Sequence, residues 1–562
     1  MQEKTVRQPI DSMKKENGKD SQGQTSFIVS LFHPRGPNEP TWKYLPLVLA
    51  LGFIARATVA LSTDFVLHPD EIMQYLEPAH LLAFGNGVSY WEYFYGARSW
   101  LVPGVVAGVL KLFDLIGLGE PVWYVGGVKL FFCAVSLLVP AGMYFFTRRY
   151  FSENAARVAL VSGAFWYELV AFAHKPMTEF VAVALLMVAF ALCIRGNGER
   201  SSGRNEVLVT GLAVLAAAVR VHYAPLALVP LGVIFLRTRN KVRLALLAVA
   251  VLLVVGMFDA VTWNGALFHS YFTNLRYNLI WGEAVAGSTP PPYQFFSWIM
   301  IASGGLSVLC AAALLDLRRY WFLLASISLV LLPHSLQTHK EYRFVFAVTP
   351  LWLMIGSDIV VRITNRARQA QVTAGVAAVA FSIVSAAGIL NALPHQDRIY
   401  RSYATGSSGI SGVVRFIRDQ DPVFSAYRYL ARTPGVAAVW HIDRYYAALP
   451  AYYYLHREIP FYDDARGSAN LKNLEAVFSS VTHIVSEDPR ISLPGYSLER
   501  EFGSVRILRR NADKPQVREW ENYNPIIVNK LVKSIIKRMD PDAPDAPANS
   551  GIRFAVRKTA EP

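Results

Sequence analysis

The sequence predicts an all-α polytopic membrane bundle that carries a small α/β domain near its C-terminus. Three observations support this prediction. The 562 residues are 53% hydrophobic, with a mean hydropathy of +0.29. About eleven apolar runs, each near the length that crosses a bilayer, recur between residues 43 and 392. After residue 393, short β-like segments alternate with helical patterns, which indicates a separate packed unit.

The chain opens with a polar segment of mixed charge, residues 1–40, which we interpret as a disordered cytoplasmic tail. The transmembrane domain is predicted over residues 41–393. Its apolar runs have approximate bounds of 43–62, 123–146, 156–173, 178–195, 206–220, 223–236, 243–262, 296–315, 320–336, 342–361 and 372–392. Several of these runs are close to the shortest length that can cross a membrane.

Basic residues indicate which loops face the cytoplasm, because Lys and Arg are enriched on that side. With a cytoplasmic N-terminus, every loop rich in Arg and Lys falls on one side, including the pairs Arg148–Arg149 and Arg318–Arg319. The opposite loops then hold the unusual polar motifs, at 68–80, 173–179, 220–225, 263–295 and 338–343. The sequence therefore predicts a site on the non-cytoplasmic face, with the lipid bilayer as a partner.

The first outer loop is predicted over residues 63–122. It contains an apolar run, residues 100–118, that is interrupted by Pro103, Lys111 and Asp114, and we interpret this run as an interfacial helix. The loop also carries most of the polar residues considered below.

The C-terminal part divides into two segments. Residues 394–515 predict an outer α/β domain with strands at 437–442, 483–486 and 505–508 and helices at 411–432 and 468–480. Residues 516–562 predict a basic amphipathic helix from Pro525 to Met539 and a disordered tail. The helix suits a membrane surface and packing on the α/β domain equally well.

Composition excludes several function classes. The net charge of +14 is dispersed over short loops, so no nucleic-acid partner is predicted. The three cysteines, Cys133, Cys193 and Cys310, all lie in apolar runs, which argues against a disulfide framework. The sequence shows no metal-ligand spacing and no Gly-rich phosphate loop, so we expect no metal and no cofactor.

The segment 68–80, HPDEIMQYLEPAH, carries three carboxylates and two histidines directly after the first apolar run. Pro-Asp-Glu is also a favourable helix start, which explains these residues without any function. On a helix that begins near residue 69, however, Asp70, Gln74 and Glu77 share one face. An ionised carboxylate on that face can accept a proton from a hydroxyl group as a general base.

A second polar group lies between the ninth and tenth apolar runs. His339, Lys340 and Arg343 are three potential cations at the outer interface, suited to holding a lipid phosphate. The alternative is that they anchor helix ends, although basic anchors are expected mainly on the cytoplasmic side. Arg220 with His222 forms a similar pair, whereas for His174, Lys175 and Glu179 we favour a structural role.

Four stretches of the sequence resemble the mannosyltransferases that use dolichyl- or polyprenyl-phosphate mannose in GPI-anchor and N-glycan assembly. They are HPDEIMQYLEPAH at 68–80, GNGVSYWEYFYGARSWLVP at 85–103, FDAVTWNGALFHSYFTNLRYN at 258–278 and HKEYRFVFAVTPL at 339–351. The resemblance covers residues 40–510 approximately and implies the glycosyltransferase C fold. It also implies inverting transfer of mannose from a polyprenyl-phosphate donor to a hydroxyl of a glycolipid or glycan acceptor, without a metal ion.

The resemblance assigns roles to particular residues. It makes Asp70 the base, with Glu71 as the alternative, and makes Arg343 the main ligand of the donor phosphate. The further phosphate ligands that it implies are Lys340, His339, Arg98 and Arg220. The implied substrate contacts are His68, Gln74, Glu77 and Glu341.

Some features leave alternatives open. The loop 263–295 departs from the family pattern, so the acceptor and the sugar are not fixed, and another polyprenyl-phosphate sugar is the main alternative. A lipid or glycan transporter is disfavoured because the ionisable residues gather at one face rather than near the midplane. The intact motifs argue against an inactive scaffold. Ala-rich spans and few cysteines favour a bacterial inner membrane over the endoplasmic reticulum membrane.

Overall fold

The computed structural model describes residues 43–194, 203–280, 291–303, 307–364, 422–442, 450–463, 481–511, 526–527 and 537–538, apart from residues 65, 67 and 338. Helices dominate these ranges. The predicted tail 1–40, the apolar run 372–392, the helix 468–480 and the C-terminal tail from residue 540 lie outside the described residues.

All ten predicted apolar runs within the described ranges contain helices. The bundle helices are α1 (Leu45–Ser62), α5 (Pro121–Ser136), α6 (Leu138–Tyr150), α7 (Glu153–Phe165), α8 (Tyr167–Ala171), α9 (Thr178–Cys193), α10 (Gly203–Val219), α11 (Ala224–Arg237), α12 (Lys241–Trp263), α13 (His269–Leu275), α14 (Gln294–Ala302), α15 (Val308–Ala312), α16 (Leu317–Leu336) and α17 (Val348–Thr364). Short 3₁₀ turns at Val221–Tyr223 and Tyr342–Val345 precede α11 and α17.

Three helical segments in the described residues are both long and apolar enough to cross a membrane. They are α1, the continuous pair α5–α6 (Pro121–Tyr150) and α12. Helices such as α9 are apolar but shorter. The helical bundle is therefore confirmed, whereas the count of eleven spans stays a prediction. Large buried side chains such as Phe146, Phe190 and Leu351 fill a core between α6, α9 and α17.

The first outer loop folds into several short elements. A π-helical turn (Glu71–Leu76) leads into α2 (Glu77–Phe84), and β1 (Ser89–Tyr90) and α3 (Trp91–Phe94) precede α4 (Leu101–Leu115). Helix α4 occupies the run predicted to be an interfacial helix. It buries Val106 and Leu110 but leaves Leu112 and Leu115 57% and 82% exposed. This two-sided pattern fits a helix at a membrane surface.

The C-terminal part contains α18 (Pro422–Arg432), α19 (Ala451–Leu455) and a five-stranded sheet. The strands are β2 (Val439–Ile442), β3 (Phe461–Asp463), β4 (His483–Ser486), β5 (Tyr496–Phe502) and β6 (Val505–Arg510), in the order β3-β2-β4-β6-β5. Strand β2 runs parallel to β3 and β4, whereas β6 is antiparallel to β4 and β5. All three predicted strands are confirmed.

This sheet unit has a small hydrophobic cluster of its own around Trp440 and Leu508, and it also shares a larger cluster with the first outer loop. Its buried Tyr427, Tyr453 and Phe461 belong to the same hydrophobic cluster as Val106 and Tyr124 of the first outer loop and α5. The Tyr124 hydroxyl also donates to the Tyr453 carbonyl oxygen at 2.6 Å. The segment predicted as a separate domain therefore packs directly on the loop that carries the 68–80 motif.

The helix predicted from Pro525 to Met539 is wrong at its beginning. Ile526–Ile527 form strand β7, which pairs in parallel with Ser89–Tyr90 of β1. Isoleucine is β-branched and favours a strand. Pairing with the distant Ser89–Tyr90 therefore outweighed the helical spacing of the apolar residues. Most of the predicted helix beyond this point lies outside the described residues.

Candidate active site

The 68–80 segment is helical, as predicted, but its first turn is wider than an α-helical turn. The π-helical turn Glu71–Leu76 changes the angle between successive side chains, a distortion that is common at functional sites. Asp70, Gln74 and Glu77, which were predicted to share one face, have three different partners in the structure. Asp70 contacts a distant arginine, Gln74 donates to Glu92 at 3.2 Å, and Glu77 is directed into the C-terminal part.

Five side chains form a group that we name the Asp70 cluster: His68, Asp70, His339, Glu341 and Arg343. Arg343 Nη2 donates to Asp70 Oδ2 at 2.6 Å, and its Nε donates to Glu341 Oε2 at 2.5 Å. His68 Nδ1 lies 3.3 Å from Asp70 Oδ1, and His339 Nε2 lies 2.7 Å from Glu341 Oε1. Two sequence motifs separated by more than 250 residues are therefore joined in one cluster.

Glu179 links this cluster to Arg220. Its Oε1 lies 3.1 Å from Arg220 Nη2 and 3.3 Å from Arg343 Nη1, and the Glu179 side chain is fully buried. Sequence reasoning gave Glu179 a structural role and missed this contact. The available sequence signal for a role of Glu179 was its position in a loop predicted to lie on the non-cytoplasmic face. Arg220 Nε has no hydrogen-bond partner, and Arg343 Nη1 has none beyond its ion pair with Glu179, so both guanidinium groups keep donor capacity for an anion.

The charges within the cluster control the ionisation of its carboxyl groups. Burial alone would raise the pKa of Asp70, but His68 and Arg343 outweigh burial and hold this pKa well below its ordinary value. The pKa of Glu341 is lowered in the same way. Burial would raise it, but Arg343 and His68 outweigh burial. The pKa of His68 is raised, because Glu341 and Asp70 together outweigh burial and Arg343. Asp70 is therefore ionised at neutral pH.

The other acidic candidate for the base lies in a different environment. Glu71 Oε1 accepts from Lys175 Nζ at 3.0 Å, and the two side chains are only 8% and 2% exposed. Asp70 keeps 17% of its side chain exposed. The geometry therefore favours Asp70 over Glu71 as the group that meets a substrate.

Two predicted phosphate ligands also have other partners. Arg98 Nη2 lies 2.7 Å from Glu92 Oε1, although its charge still acts on Asp70. Lys340 Nζ donates to the Gln337 carbonyl oxygen. Arg98 and Lys340 are therefore engaged with other groups, whereas Arg343 and Arg220 lie side by side at Glu179 and are the better placed pair for an anion.

Glu77 is not placed to contact a substrate. Its two carboxyl oxygens accept from the backbone N–H groups of Val88 at 2.8 Å and Tyr453 at 2.6 Å. Its side chain is fully buried, and burial raises its pKa to about 8 against these backbone donors. His80 contributes to the same junction, with Nε2 2.9 Å from His456 Nδ1. The second half of the motif attaches the first outer loop to the C-terminal part.

The Asp70 cluster and the adjacent Arg220 thus combine a partly exposed, ionised carboxylate with two arginines that keep donor capacity. This arrangement can accept a proton and stabilise a phosphate group within one site. Among the described residues, no group of three or more His, Cys, Asp or Glu side chains is arranged to hold a metal ion.

Comparison with known sequences identifies relatives. The sequence profile of the Alg9-like mannosyltransferase family matches residues 47–403. GPI mannosyltransferase 3 of Yarrowia lipolytica is 28% identical over 340 residues, which cover 58% of this chain and 64% of that protein. GPI alpha-1,2-mannosyltransferase 3 of Homo sapiens is 24% identical over 306 residues, which cover 52% of this chain and 53% of that protein. The chain therefore matches less than two thirds of the length of these relatives.

Comparison with solved structures identifies the fold. ArnT from Cupriavidus metallidurans, bound to undecaprenyl phosphate, has a TM-score of 0.57 at 15% sequence identity. The match covers 85% of this chain and 99% of that chain, which confirms the predicted glycosyltransferase C fold. The two sequence relatives are eukaryotic, which weakens the preference for a bacterial inner membrane that composition suggested.

Proposed function

Because the chain belongs to the Alg9-like mannosyltransferase family, we propose that it transfers mannose from a polyprenyl-phosphate carrier to a hydroxyl group on the non-cytoplasmic face of a membrane. The contact between Asp70 and Arg343 carries this proposal. It joins the two motifs that would supply the base and the phosphate ligand. The undecaprenyl phosphate bound to ArnT, a protein of the same fold, is a carrier of the proposed chemical class.

The proposed reaction is a single inverting displacement. The Asp70 carboxylate removes the proton of the acceptor hydroxyl while the hydroxyl oxygen bonds to the anomeric carbon of mannose. The bond from that carbon to the phosphate oxygen breaks, and the polyprenyl phosphate leaves with the electron pair. Attack on the face opposite the phosphate converts a β-linked donor into an α-mannoside.

Arg343 and Arg220 bind the donor phosphate in this proposal. Their positive charges stabilise the negative charge that builds up on the leaving phosphate. Glu179 is a positioning residue, since its single carboxylate lies within 3.3 Å of both guanidinium groups. It holds the two arginines side by side without contacting the donor itself.

The donor phosphate also frees the base. In the absence of the donor, His68 and the paired Arg343 together hold the pKa of the Asp70 carboxyl below its ordinary value, which weakens it as a proton acceptor. A phosphate competes for the same guanidinium. Once the phosphate has taken Arg343, the Asp70 carboxylate loses that partner, its pKa rises and it becomes a stronger base. Donor binding therefore precedes proton transfer.

For the acceptor we infer a GPI-type glycolipid. Proteins named GPI mannosyltransferase 3 align with more than half of this chain. The loop 263–295, whose sequence departs from the family pattern, is the region that we expect to contact the acceptor. A related glycan acceptor, or another sugar on the same carrier, is the alternative that the experiment must separate.

The test is sugar transfer by the purified full chain in liposomes. We would supply radiolabelled polyprenyl-phosphate mannose, or the corresponding glucose donor, together with a total lipid and glycan extract. Asp70→Asn serves as the blank, and Asp114→Asn, a change on the exposed face of α4, serves as its matched control. We expect wild type and Asp114→Asn to form labelled product from the mannose donor, and we expect Asp70→Asn to form none. Isolation of the labelled product identifies the acceptor.

Two other results decide against parts of the proposal. Product from the glucose donor alone would keep the reaction type and replace the sugar. No product from either donor, with a folded protein that still binds polyprenyl phosphate, would overturn the transferase function.

A further inference from the structure

A second polar site lies in the C-terminal part, outside the Asp70 cluster. An open cleft of about 690 Å³ is formed where α18 meets β5 and β6. Its lining residues are Arg428, Tyr429, Arg432, Thr433, Pro434, Glu499 and Arg509. None of these residues belongs to the proposed catalytic machinery, so binding at this cleft can be measured without sugar transfer.

The lining is strongly cationic. Arg428, Arg432 and Arg509 supply three guanidinium groups, and Arg500 lies close by, with its guanidinium carbon 5.2 Å from the centre of the Tyr429 ring. Guanidinium groups bind phosphate oxygens in a fork-like geometry, and several of them around one cleft favour an anionic ligand.

The cleft also contains one carboxylate, which adds a hydrogen-bond acceptor to its cationic lining. Glu499 Oε1 accepts from the Tyr429 hydroxyl at 3.1 Å, and Glu499 Oε2 lies 3.1 Å from Nε2 of the buried His483. The Glu499 side chain is 14% exposed, so it can still meet a ligand. A carboxylate among arginines suits hydroxyl groups next to a phosphate, because hydroxyls donate to the carboxylate while phosphate oxygens accept from the arginines.

The position of the cleft indicates where such a ligand comes from. Arg428 Nη2 donates to Asp64 Oδ2 at 2.7 Å, and Asp64 lies two residues after the candidate span α1 ends at Ser62. Arg432 Nη2 lies 3.8 Å from Glu120, the residue directly before the candidate span that begins at Pro121. Both contacts place the cleft beside the ends of membrane-crossing helices, at the level of lipid head groups.

We propose that this cleft binds the phosphate of a lipid head group that also carries hydroxyl groups, such as a polyol phosphate. Arg432 and Arg509 hold the phosphate, Glu499 accepts from the hydroxyl groups and the acyl chains stay in the adjacent bilayer. The bound lipid anchors the C-terminal sheet to the membrane surface next to the first outer loop.

The test measures lipid binding by the purified full chain in detergent. The probes are dioctanoyl phosphatidylinositol, a lipid with a polyol phosphate head group, and inositol 1-phosphate, the same head group without acyl chains. The variant is Arg432→Ala/Arg509→Ala, which removes two guanidinium groups without touching the Arg428–Asp64 pair. The matched control is Arg490→Ala/Arg506→Ala, which removes two arginines of the same C-terminal part from outside the cleft.

We expect the cleft variant to bind dioctanoyl phosphatidylinositol roughly tenfold or more weakly than wild type and the control do. Binding of polyprenyl phosphate should be unchanged in all three proteins. Inositol 1-phosphate should compete poorly. Full competition by inositol 1-phosphate would support the phosphate site but assign it to a soluble ligand, which overturns the lipid assignment.

Equal phosphatidylinositol binding by the cleft variant and the control would overturn the site itself. Thermal unfolding of each variant shows whether a loss of binding merely reflects a loss of folding. A loss of polyprenyl-phosphate binding in the cleft variant would contradict the independence of the two sites, whereas a failure of sugar transfer leaves this lipid-binding result unaffected.

Discussion

The two halves of the 68–80 segment contain the same residue types and serve different purposes. In the first half, His68 and Asp70 keep 17% of their side chains exposed, and their partners are side chains of a distant motif. In the second half, Glu77 and His80 are fully buried. The partners of Glu77 are backbone N–H groups, and His80 Nδ1 lies 2.6 Å from the Asn86 carbonyl oxygen.

The nature of the partner explains the difference. A side-chain partner such as Arg343 can exchange one anion for another, because it only has to move its guanidinium from Asp70 to a phosphate. A backbone partner such as the Tyr453 N–H cannot leave Glu77 unless the chain around it unfolds locally. The first half of the segment is therefore suited to chemistry, and the second half holds the loop on the C-terminal part.

The largest effect is expected from Asp70→Asn. The amide cannot accept the hydroxyl proton, so the transfer rate should fall by roughly 10²–10⁴-fold, the usual contribution of a general base. The same change releases Arg343 from its ion pair, so binding of polyprenyl phosphate should become tighter. Rate is measured by product formation and binding by titration of the lipid. Full activity in this variant would remove Asp70 from the role of base.

Arg343→Ala should have the next largest effect, on the donor. Loss of a charge-assisted hydrogen bond to the phosphate predicts an apparent donor affinity that is about 10- to 100-fold weaker. Arg318→Ala, which removes an exposed arginine from the opposite end of α16, is the matched control. An unchanged KM and kcat for the donor in Arg343→Ala would exclude this residue from the phosphate site.

Glu77→Gln tests the second half of the segment. The carboxamide can satisfy only one of the two backbone N–H groups, so the free energy of unfolding should fall by about 1–3 kcal/mol. The kcat of the protein that remains folded should not change. The measurement is thermal unfolding, with Glu501→Gln, at an exposed ion pair on β5, as the control. A fall in kcat with unchanged stability would show that Glu77 acts on the substrate.

The sequence identified the members of the first half but not their contacts. Asp70 and Arg343 were recognisable because charged motifs are conspicuous in a largely apolar chain, and topology placed both on one face. Glu179 was missed because its role depends on its distance from two arginines that lie far away in the sequence. Glu77 was predicted to contact the substrate because the sequence spacing shows neither the π-helical turn nor the backbone N–H of Tyr453, which lies next to the Glu77 carboxylate.

The same limit explains the errors in the fold. Most helices of the bundle follow from local hydrophobic runs, and all ten predicted runs within the described residues contain helices. Strand β7 depends on pairing with Ser89–Tyr90, a contact across more than 400 residues, and no local pattern reports it. The shared core of the first outer loop and the C-terminal sheet is also a long-range feature, so residue 393 looked like a domain boundary.

The smallest effect, a change in pH dependence, is expected from His68→Asn. His68 lowers the pKa of Asp70 by its charge and by a hydrogen bond, so its removal should raise that pKa. Asp70 must be ionised to act as the base, and activity is lost as the pH falls through its pKa. The acid limb of kcat/KM for the donor, which reports the free enzyme, should therefore move to higher pH.

His269→Asn, outside the Asp70 cluster, should leave the acid limb in place. An acid limb that does not move in His68→Asn would mean that Asp70 does not control it, and the first half of the segment would then lose its catalytic assignment.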